Sequence, residues 1–378
     1  MMYNPKIDFI YLSEQDMIKA GVTNMPACVD AMEEMFTLLH KGDYRMSGVN
    51  NDSHGAMVIF PENSPFPGMP KPTTDRRLMA MPAYLGGNFQ TCGVKWYGSN
   101  IENKEKGLPR SVLMMILSDI DTGAPLAFMS ANLLSAYRTG AVPGVGARYL
   151  ARKDSRVIAL LGPGVMGKTA VAAFIAARPE IDTIKVKGRG DKSLSEFISW
   201  VRTHYPQIKK LEVTDTLESL VHDADIIAYC TSGPIGAHNY PKVKRTWLKP
   251  GAFLAMPAGC TLDDDMKTPE VRKVLDNTGL YEAWFAEIPK PTHNYVPMVG
   301  MQFMDMIHDG EMSRDEIEDL GAIVAGEQPG RKNNNEIIVL SVGGMPVEDV
   351  AWATKIYHNA VENQIGVTLN LWQTPELR

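Results

Sequence analysis

The sequence predicts an α/β protein in which a parallel-sheet domain is inserted into a second, α+β domain. Three observations predict it. From about residue 131 onward, apolar strand-length runs alternate with helical patterns, as parallel strands joined by crossover helices require. Before 130 the pattern is mixed, with short apolar runs separated by Gly, Pro and Asn. After 311 the pattern turns helical and is expected to pack back on the amino-terminal part. The expected boundaries are 1–130 plus 321–378 for the outer domain and 131–320 for the insert. The 378-residue chain is long enough for two cores.

Taken in order, Asn24 and Pro26 open a helix whose apolar stripe is Val29, Met32, Met35, Phe36 and Leu39, closed by Gly42. Ala56–Phe60, Gly93–Tyr97 and Val112–Ser118 read as strands, and Asp121 to Gly123 as a hairpin-type turn. Leu133, Leu134, Tyr137 and Ala141 mark a long helix reaching about Leu150. A buried-type strand follows over Arg156–Leu161, then a glycine-rich turn and a helix of small residues over Ala170–Ala177. Ile184–Lys187, Leu194–Val201, Leu211–Val213 and Asp225–Cys230 continue the alternation. Glu336–Ser341 is an apolar run ended by Met345 and Pro346, and Val350–Ala360 has helical spacing.

The formal net charge is -6 and no basic stripe runs through the chain, which argues against a nucleic-acid partner. The first residues carry charges within their apolar stretch, unlike a signal peptide, and the longest apolar runs are far short of a membrane span. Cys28, Cys92, Cys230 and Cys260 show no paired spacing. A reduced, cytoplasmic setting fits them, with the four thiols as small buried apolar groups.

The turn after the Arg156–Leu161 strand reads Gly162, Gly164, Gly167. Such triplets are common, but this one lies between a buried strand and a helix. There Gly162 permits the tight turn, Gly164 lets a pyrophosphate approach the backbone, and Gly167 lets helix and strand pack closely. Val165 and Met166 open the helix whose N-terminal N–H groups would face the phosphates. The expectation is a Rossmann-type dinucleotide site, with Thr231 beyond the Asp225–Cys230 strand beside it. At the end of the second strand Gly188 stands where an acid would bind the ribose 2′-hydroxyl, and Arg189 and Lys192 follow. Arginine suits a 2′-phosphate, so NADP is the favoured cofactor and NAD the alternative.

Several blocks resemble the ornithine cyclodeaminase/mu-crystallin family: G-V-K-W-Y-G-S-N over 93–100, G-L over 107–108, L-S-D-I-D-T-G over 117–123 and L-S-A-Y-R-T-G-A over 134–141. W-L-K-P-G over 247–251 and S-V-G over 341–343, leading to E-D-V-A over 348–351, extend the resemblance along nearly the whole chain. It implies a homodimer whose outer domain binds substrate and dimerises, and an NAD(P)-dependent oxidoreductase acting on the C–N bond of an amino or imino acid. By the same resemblance Arg45, Lys95 and Arg138 would hold the substrate carboxylate and frame the reacting carbon, with Lys95 and Arg138 catalytic, and Thr139 would lie by the nicotinamide. The residue types agree: a buried cation is costly unless an anion meets it, and arginine grips a carboxylate bidentately. Without a substrate, Arg45 reads as a surface charge, Lys95 as a strand-edge residue and Arg138 as a partner of Asp119 or Asp121.

One position departs from the pattern. Cyclodeaminases carry an aspartate where the M-P-A-G-C segment over 256–260 places Cys260. A mostly neutral thiol cannot do a carboxylate's work. This favours an amino-acid dehydrogenase, a ketimine reductase or an opine-type condensation over two alternatives, an ornithine cyclodeaminase and a mu-crystallin-like NADP- and ligand-binding protein. Asp263, Asp264 and Asp265 are the other acids in reach of that position. Tyr44, Met79, Met81, Trp96, Tyr97, His293 and Tyr295 are candidates to line the side-chain pocket. No metal site is expected.

Overall fold

The computed structural model describes residues 5–73 and 75–377. The chain divides into two compact units, one formed by residues up to 24, 41–138 and from 345 on, the other by 25–40 and 139–344.

The first unit is built on an eight-stranded sheet. Its strands are Ile7–Leu12 (β1), Tyr44–Met46 (β2), Ala56–Ile59 (β3), Arg77–Leu85 (β4), Thr91–Ser99 (β5), Ser111–Ser118 (β6), Pro125–Ser130 (β7) and the last strand of the chain, Val367–Trp372 (β18). The order is β18-β1-β7-β6-β5-β4-β2, with β3 on β4. All neighbours are antiparallel except β1 and β7. Burial alternates strictly along β4, where Met79, Met81, Ala83 and Leu85 are buried and the residues between them are not. This is the period-two pattern of a sheet covered on one face. The cover is the helix Pro346–Glu362, which packs against β4, β5 and β6.

The second unit holds the parallel sheet. Its strands are Val157–Leu161 (β8), Thr183–Lys187 (β9), Lys210–Val213 (β10), Ile226–Tyr229 (β11), Phe253–Met256 (β13), Val271–Leu275 (β15), Ile317–Asp319 (β16) and Ile337–Ser341 (β17). Two short strands, Lys242–Val243 (β12) and Thr261–Leu262 (β14), pair apart from it. The order β10-β9-β8-β11-β13-β17-β15-β16 is parallel throughout. Its central strands are apolar and buried along their length, as a sheet with helices on both faces demands. The protein is thus an α/β protein.

The structure carries this unit past the expected end at 320. Residues 337–341 form a strand, not a helix, inserted between β13 and β15. Four consecutive β-branched or leucine side chains, all buried, suit a strand with both faces covered. Residues 25–40 belong to this unit too, because Arg148 binds Asp30 and Glu33 from the long helix Asn132–Leu150. That helix needs its glycines. A Cβ on Gly140 would lie 2.5 Å from Thr169, and one on Gly144 2.7 Å from Ala173, so the two positions let it pack close on the helix Val165–Ala177. No helix among the described residues is long and apolar enough to cross a membrane.

Candidate active site

On the covered face of the antiparallel sheet four ionisable side chains meet in one cluster. Lys95 lies on β5 and is only 2% exposed. Its Nζ donates to Asp349 Oδ2 at 2.7 Å and reaches Ser135 Oγ at 3.5 Å. Arg138, on the Asn132–Leu150 helix, donates through Nε to Asp349 Oδ1 at 2.9 Å and through Nη1 to Glu348 Oε2 at 2.5 Å. Both acids are fully buried and sit in the first turn of the Pro346–Glu362 helix, where its dipole favours negative charge.

Two cations and two carboxylates make this cluster neutral, which is how a protein tolerates four buried charges. Burial, and then the charge of Arg138, push the Lys95 amine down to about 8, against the pull of Asp349 and Glu348. A lysine held near neutrality can give and take a proton at working pH. The named contacts engage two of the five N–H groups of the Arg138 guanidinium.

The alternative partners of Arg138 are corrected by this geometry. Asp119 instead accepts from Thr122 in the turn after β6, at 2.8 Å from its backbone N–H. Arg45 does not join the cluster. It pairs across the sheet with Tyr84, three residues along β4 from Met81, which pairs with Lys95. An odd step along a strand changes face, so Arg45 lies on the other side of the sheet. It is exposed and donates to the backbone carbonyls of Gly42 and Tyr44.

Another arginine does share the face of Lys95. Arg77 is four residues before Met81 on β4, and its Nε and Nη2 donate to Tyr97 Oη at 3.3 and 3.2 Å. Tyr97 stands two residues after Lys95, whose amine is 5.6 Å from the centre of the tyrosine ring. The residue-type reading missed Arg77, Glu348 and Asp349. Glu348 and Asp349 were visible only as part of a family block, and the parity of Arg77 with Met81 was the available signal for the arginine.

Of the pocket candidates, Met79, Met81 and Tyr97 share the Lys95 face, whereas Trp96 alternates to the other. Tyr44 donates to Asp52 at 2.6 Å, and Tyr295 is 50% exposed. In the second unit His293 is buried, its Nδ1 3.1 Å from the Met298 carbonyl and its ring edge-on to Tyr240.

The glycine turn has the geometry its spacing implies. Gly162 adopts a φ of +96°, open only to glycine at low cost, and a Cβ there would meet the Cys230 carbonyl at 2.8 Å and Thr231 at 3.0 Å. A Cβ on Gly167 would lie 2.2 Å from the Gly162 carbonyl oxygen. On Gly164 nothing stands within 4 Å of that position. The helix Val165–Ala177 starts there without a side-chain cap, and its first intrahelical bond runs from Lys168 N to Gly164 O at 2.9 Å. The N–H groups of Val165, Met166 and Gly167 therefore precede the ladder, as a phosphate cradle requires.

Gly188 follows β9 and sits against the turn: a Cβ there would be 2.9 Å from Pro163. Arg189 beside it is exposed and donates to the Ser232 carbonyl at 2.8 Å. The Lys192 side chain is 91% exposed. Lys187 Nζ is engaged by the Asp215 carbonyl. Thr139, half-buried, follows Arg138 on the same helix.

Cys260 is fully buried, and burial raises its thiol well above the ordinary range. Each of the three aspartates after it has a local partner in this unit. Asp265 accepts from the backbone of Arg245 and Thr246, Asp264 pairs with Lys267, and Asp263 lies 3.5 Å from Lys244. Among the described residues no cluster of His, Cys, Asp and Glu is suited to a metal.

A parallel sheet with a glycine turn, joined in one chain to a sheet that buries a lysine among carboxylates, defines the dinucleotide-dependent dehydrogenase class. Residues 21–364 match the model of the ornithine cyclodeaminase/mu-crystallin family, and the chain belongs to that family. It is 26% identical over 366 residues to the N-((2S)-2-amino-2-carboxyethyl)-L-glutamate dehydrogenase of Staphylococcus aureus, covering 97% of this chain and 99% of the relative. It is 26% identical to the alanine dehydrogenase of Archaeoglobus fulgidus over 78% of this chain and 84% of that one. Among solved structures, Delta(1)-pyrroline-2-carboxylate reductase of Thermococcus litoralis, in complex with NADH and L-proline, superposes with a TM-score of 0.76 at 24% identity, over 95% of this chain and 99% of that chain.

Proposed function

We propose that the protein is an NAD(P)-dependent oxidoreductase acting on the C–N bond of an amino or imino acid, with NADP favoured. The observation that carries this reading is Lys95, a buried amine brought to about 8 beside Arg138. The family relatives that are dehydrogenases and reductases of such compounds support it. The glycine turn fits a dinucleotide, since Gly164 leaves open space where a pyrophosphate would lie and the helix start offers uncapped N–H groups. When bound, the dinucleotide supplies or accepts a hydride.

The chain's own residues do the rest. The unengaged N–H groups of Arg138 take the α-carboxylate of the substrate and orient its α-carbon. Asp349 holds the Lys95 amine in place. In the reductive direction the imine carbon gains a hydride, and the imine nitrogen gains a proton from the Lys95 ammonium, which solvent then reprotonates. In the oxidative direction neutral Lys95 removes the proton from the amine. Thr139, next to Arg138 on the helix, lies by the nicotinamide in this reading, and Gly188, Arg189 and Lys192 receive the ribose end, with Arg189 as the 2′-phosphate donor. The protein works as a homodimer in the cytoplasm.

Buried Cys260, neutral at working pH, favours a reductase over an ornithine cyclodeaminase. The test follows NADPH and NADH absorbance with imines formed from 2-oxo acids and amines, and ammonia release from ornithine alongside. Net NADPH consumption with an imino acid is expected. Consumption with none of them, or ammonia from ornithine without net reduction, overturns the reading.

A further inference from the structure

Every carboxylate named on the Lys95 face already serves a cation. Asp349 accepts from Lys95 and Arg138, and Glu348 accepts from Arg138. Just before β4, Asp75 is buried and accepts from Arg77 Nη1, from Arg110 Nε and from Ser99 Oγ. A substrate that carried an ammonium beyond its reacting nitrogen would find none of these acids without a cation of its own.

Tyr97 stands two residues after Lys95 on the same face and is half-buried, whereas Lys95 and Arg138 are nearly closed off. Arg77 fixes its hydroxyl. Nε and Nη2 of Arg77 both donate to Tyr97 Oη, at 3.3 and 3.2 Å, while Asp75 holds Nη1. A hydroxyl oxygen has one proton to give and room for about two incoming bonds, so these two donors leave Tyr97 as a donor only. Among the described residues no group accepts that proton. Receiving bonds from a cation also polarises the O–H and strengthens it as a donor. Two positive charges stand near the ring: Lys95 Nζ lies 5.6 Å from its centre and the guanidinium carbon of Arg77 5.7 Å.

We infer that Tyr97 determines substrate specificity: its hydroxyl takes an acceptor oxygen of the substrate beside Lys95 and turns away a side-chain ammonium, so the enzyme does not work on diamino acids. This rests on the function proposed above, which puts the substrate nitrogen at Lys95 and the α-carboxylate at Arg138. Those two side chains share Asp349, and the Tyr97 ring lies beside the Lys95 amine, so a group that extends past Lys95 comes to Tyr97. A carbonyl or carboxylate oxygen there satisfies the spare donor. An ammonium finds no lone pair, because Arg77 occupies both, and it meets Arg77 and Lys95 as like charges.

The test is calorimetric binding of L-glutamine and L-ornithine to the NADP⁺-loaded protein. Their side chains are equally long, one ending in a carboxamide and the other in an ammonium. The wild type should prefer glutamine by about tenfold or more, the worth of one hydrogen bond. Tyr97→Phe should weaken glutamine roughly three- to tenfold and leave L-norleucine, which offers no acceptor, unchanged. Arg77→Met frees the tyrosine oxygen to accept and removes a like charge, so ornithine should gain and the ratio should fall toward one. Arg77→Lys keeps the charge and should keep part of the preference, with thermal melts confirming that the variants fold. Ornithine bound as tightly as glutamine by the wild type, glutamine unaffected by Tyr97→Phe, an unchanged ratio in Arg77→Met, or no measurable binding of either ligand overturns the inference. Because binding is read directly, these outcomes are separate from NADPH turnover, which tests the underlying reading.

Discussion

In the antiparallel unit, four charged side chains are packed out of water and paired with one another, with Lys95 2% exposed and Asp349 fully enclosed. In the parallel unit, the turn at Gly162 to Gly167 presents no ionisable side chain at all. It offers backbone N–H groups at an open helix start, and the nearest candidate cation, Arg189, stands in solvent. The first arrangement is rigid and expensive to disturb, because removing one partner leaves another charge buried. The second is cheap to disturb in stability and costly only in ligand affinity. Substitutions in the two regions should therefore separate into different readouts.

The largest effect is expected at Lys95. Lys95→Ala should reduce turnover by about 10²–10⁴-fold, the usual worth of a general acid, and leave NADPH affinity intact. A stopped-flow or steady-state assay beside a cofactor titration checks both. Retained turnover would move the proton transfer to another group and dissolve the contrast between the units.

Asp349→Asn should cost about 3–5 kcal/mol of stability, as breaking a buried pair does, measured by denaturant unfolding. It should also move a pH profile. Asp349 raises the Lys95 pKa, so its loss lowers that pKa from about 8, and the alkaline limb of reductive turnover should shift to lower pH. The linkage has a definite sign. The folded pKa of Lys95 lies near 8 and the model-compound value is 10.5, so between these the unfolded chain binds more protons and this group's contribution to stability rises with pH. Its cost is fully present below about 8. Lys95→Met should remove that slope, and an unaltered slope would show that another group sets it.

Arg189→Ala tests the open side of the comparison. Loss of a bidentate contact to a 2′-phosphate is worth about 1.5–3 kcal/mol, so NADPH should bind one to two powers of ten more weakly while NADH binding and the melting temperature stay near wild type. A wild type that prefers NADH would overturn the NADP assignment. The smallest effect belongs to Cys260→Ala, which removes a buried sulfur with no charge. It should cost roughly 1 kcal/mol and leave most redox activity, read from a melt and an NADPH assay.

The same contrast explains what was legible in the sequence. The glycine turn is local: its strand, turn and helix start lie within a dozen residues, and each glycine has a steric reason that one segment can supply. The buried cluster is not local. Asp349 lies 254 residues from Lys95 and 211 from Arg138 in the chain, so the residues could be nominated singly while their partners could not. Arg45 was misplaced because one step of strand parity decides the face, and that parity is set by pairing with β4, which composition does not reveal. The boundary at 320 failed for a related reason: the apolar run at 337–341 is too short for periodicity to distinguish a buried strand from a helix segment, and its neighbours are distant β13 and β15.

The position of β17 has a consequence for how the chain is made. The strand occupies the interior of the parallel sheet, between β13 and β15, although it is the last of that sheet to leave the ribosome. Until residues 337–341 emerge, β13 and β15 each expose an edge with unpaired N–H and carbonyl groups. The antiparallel sheet waits even longer, since β18 completes it against β1, which precedes every other strand of that sheet in the chain. At about 5–20 residues per second, the nascent chain holds open edges in both units for many seconds before either can close. The parallel sheet can therefore close first during synthesis, while the edge of β1 stays open until β18 emerges.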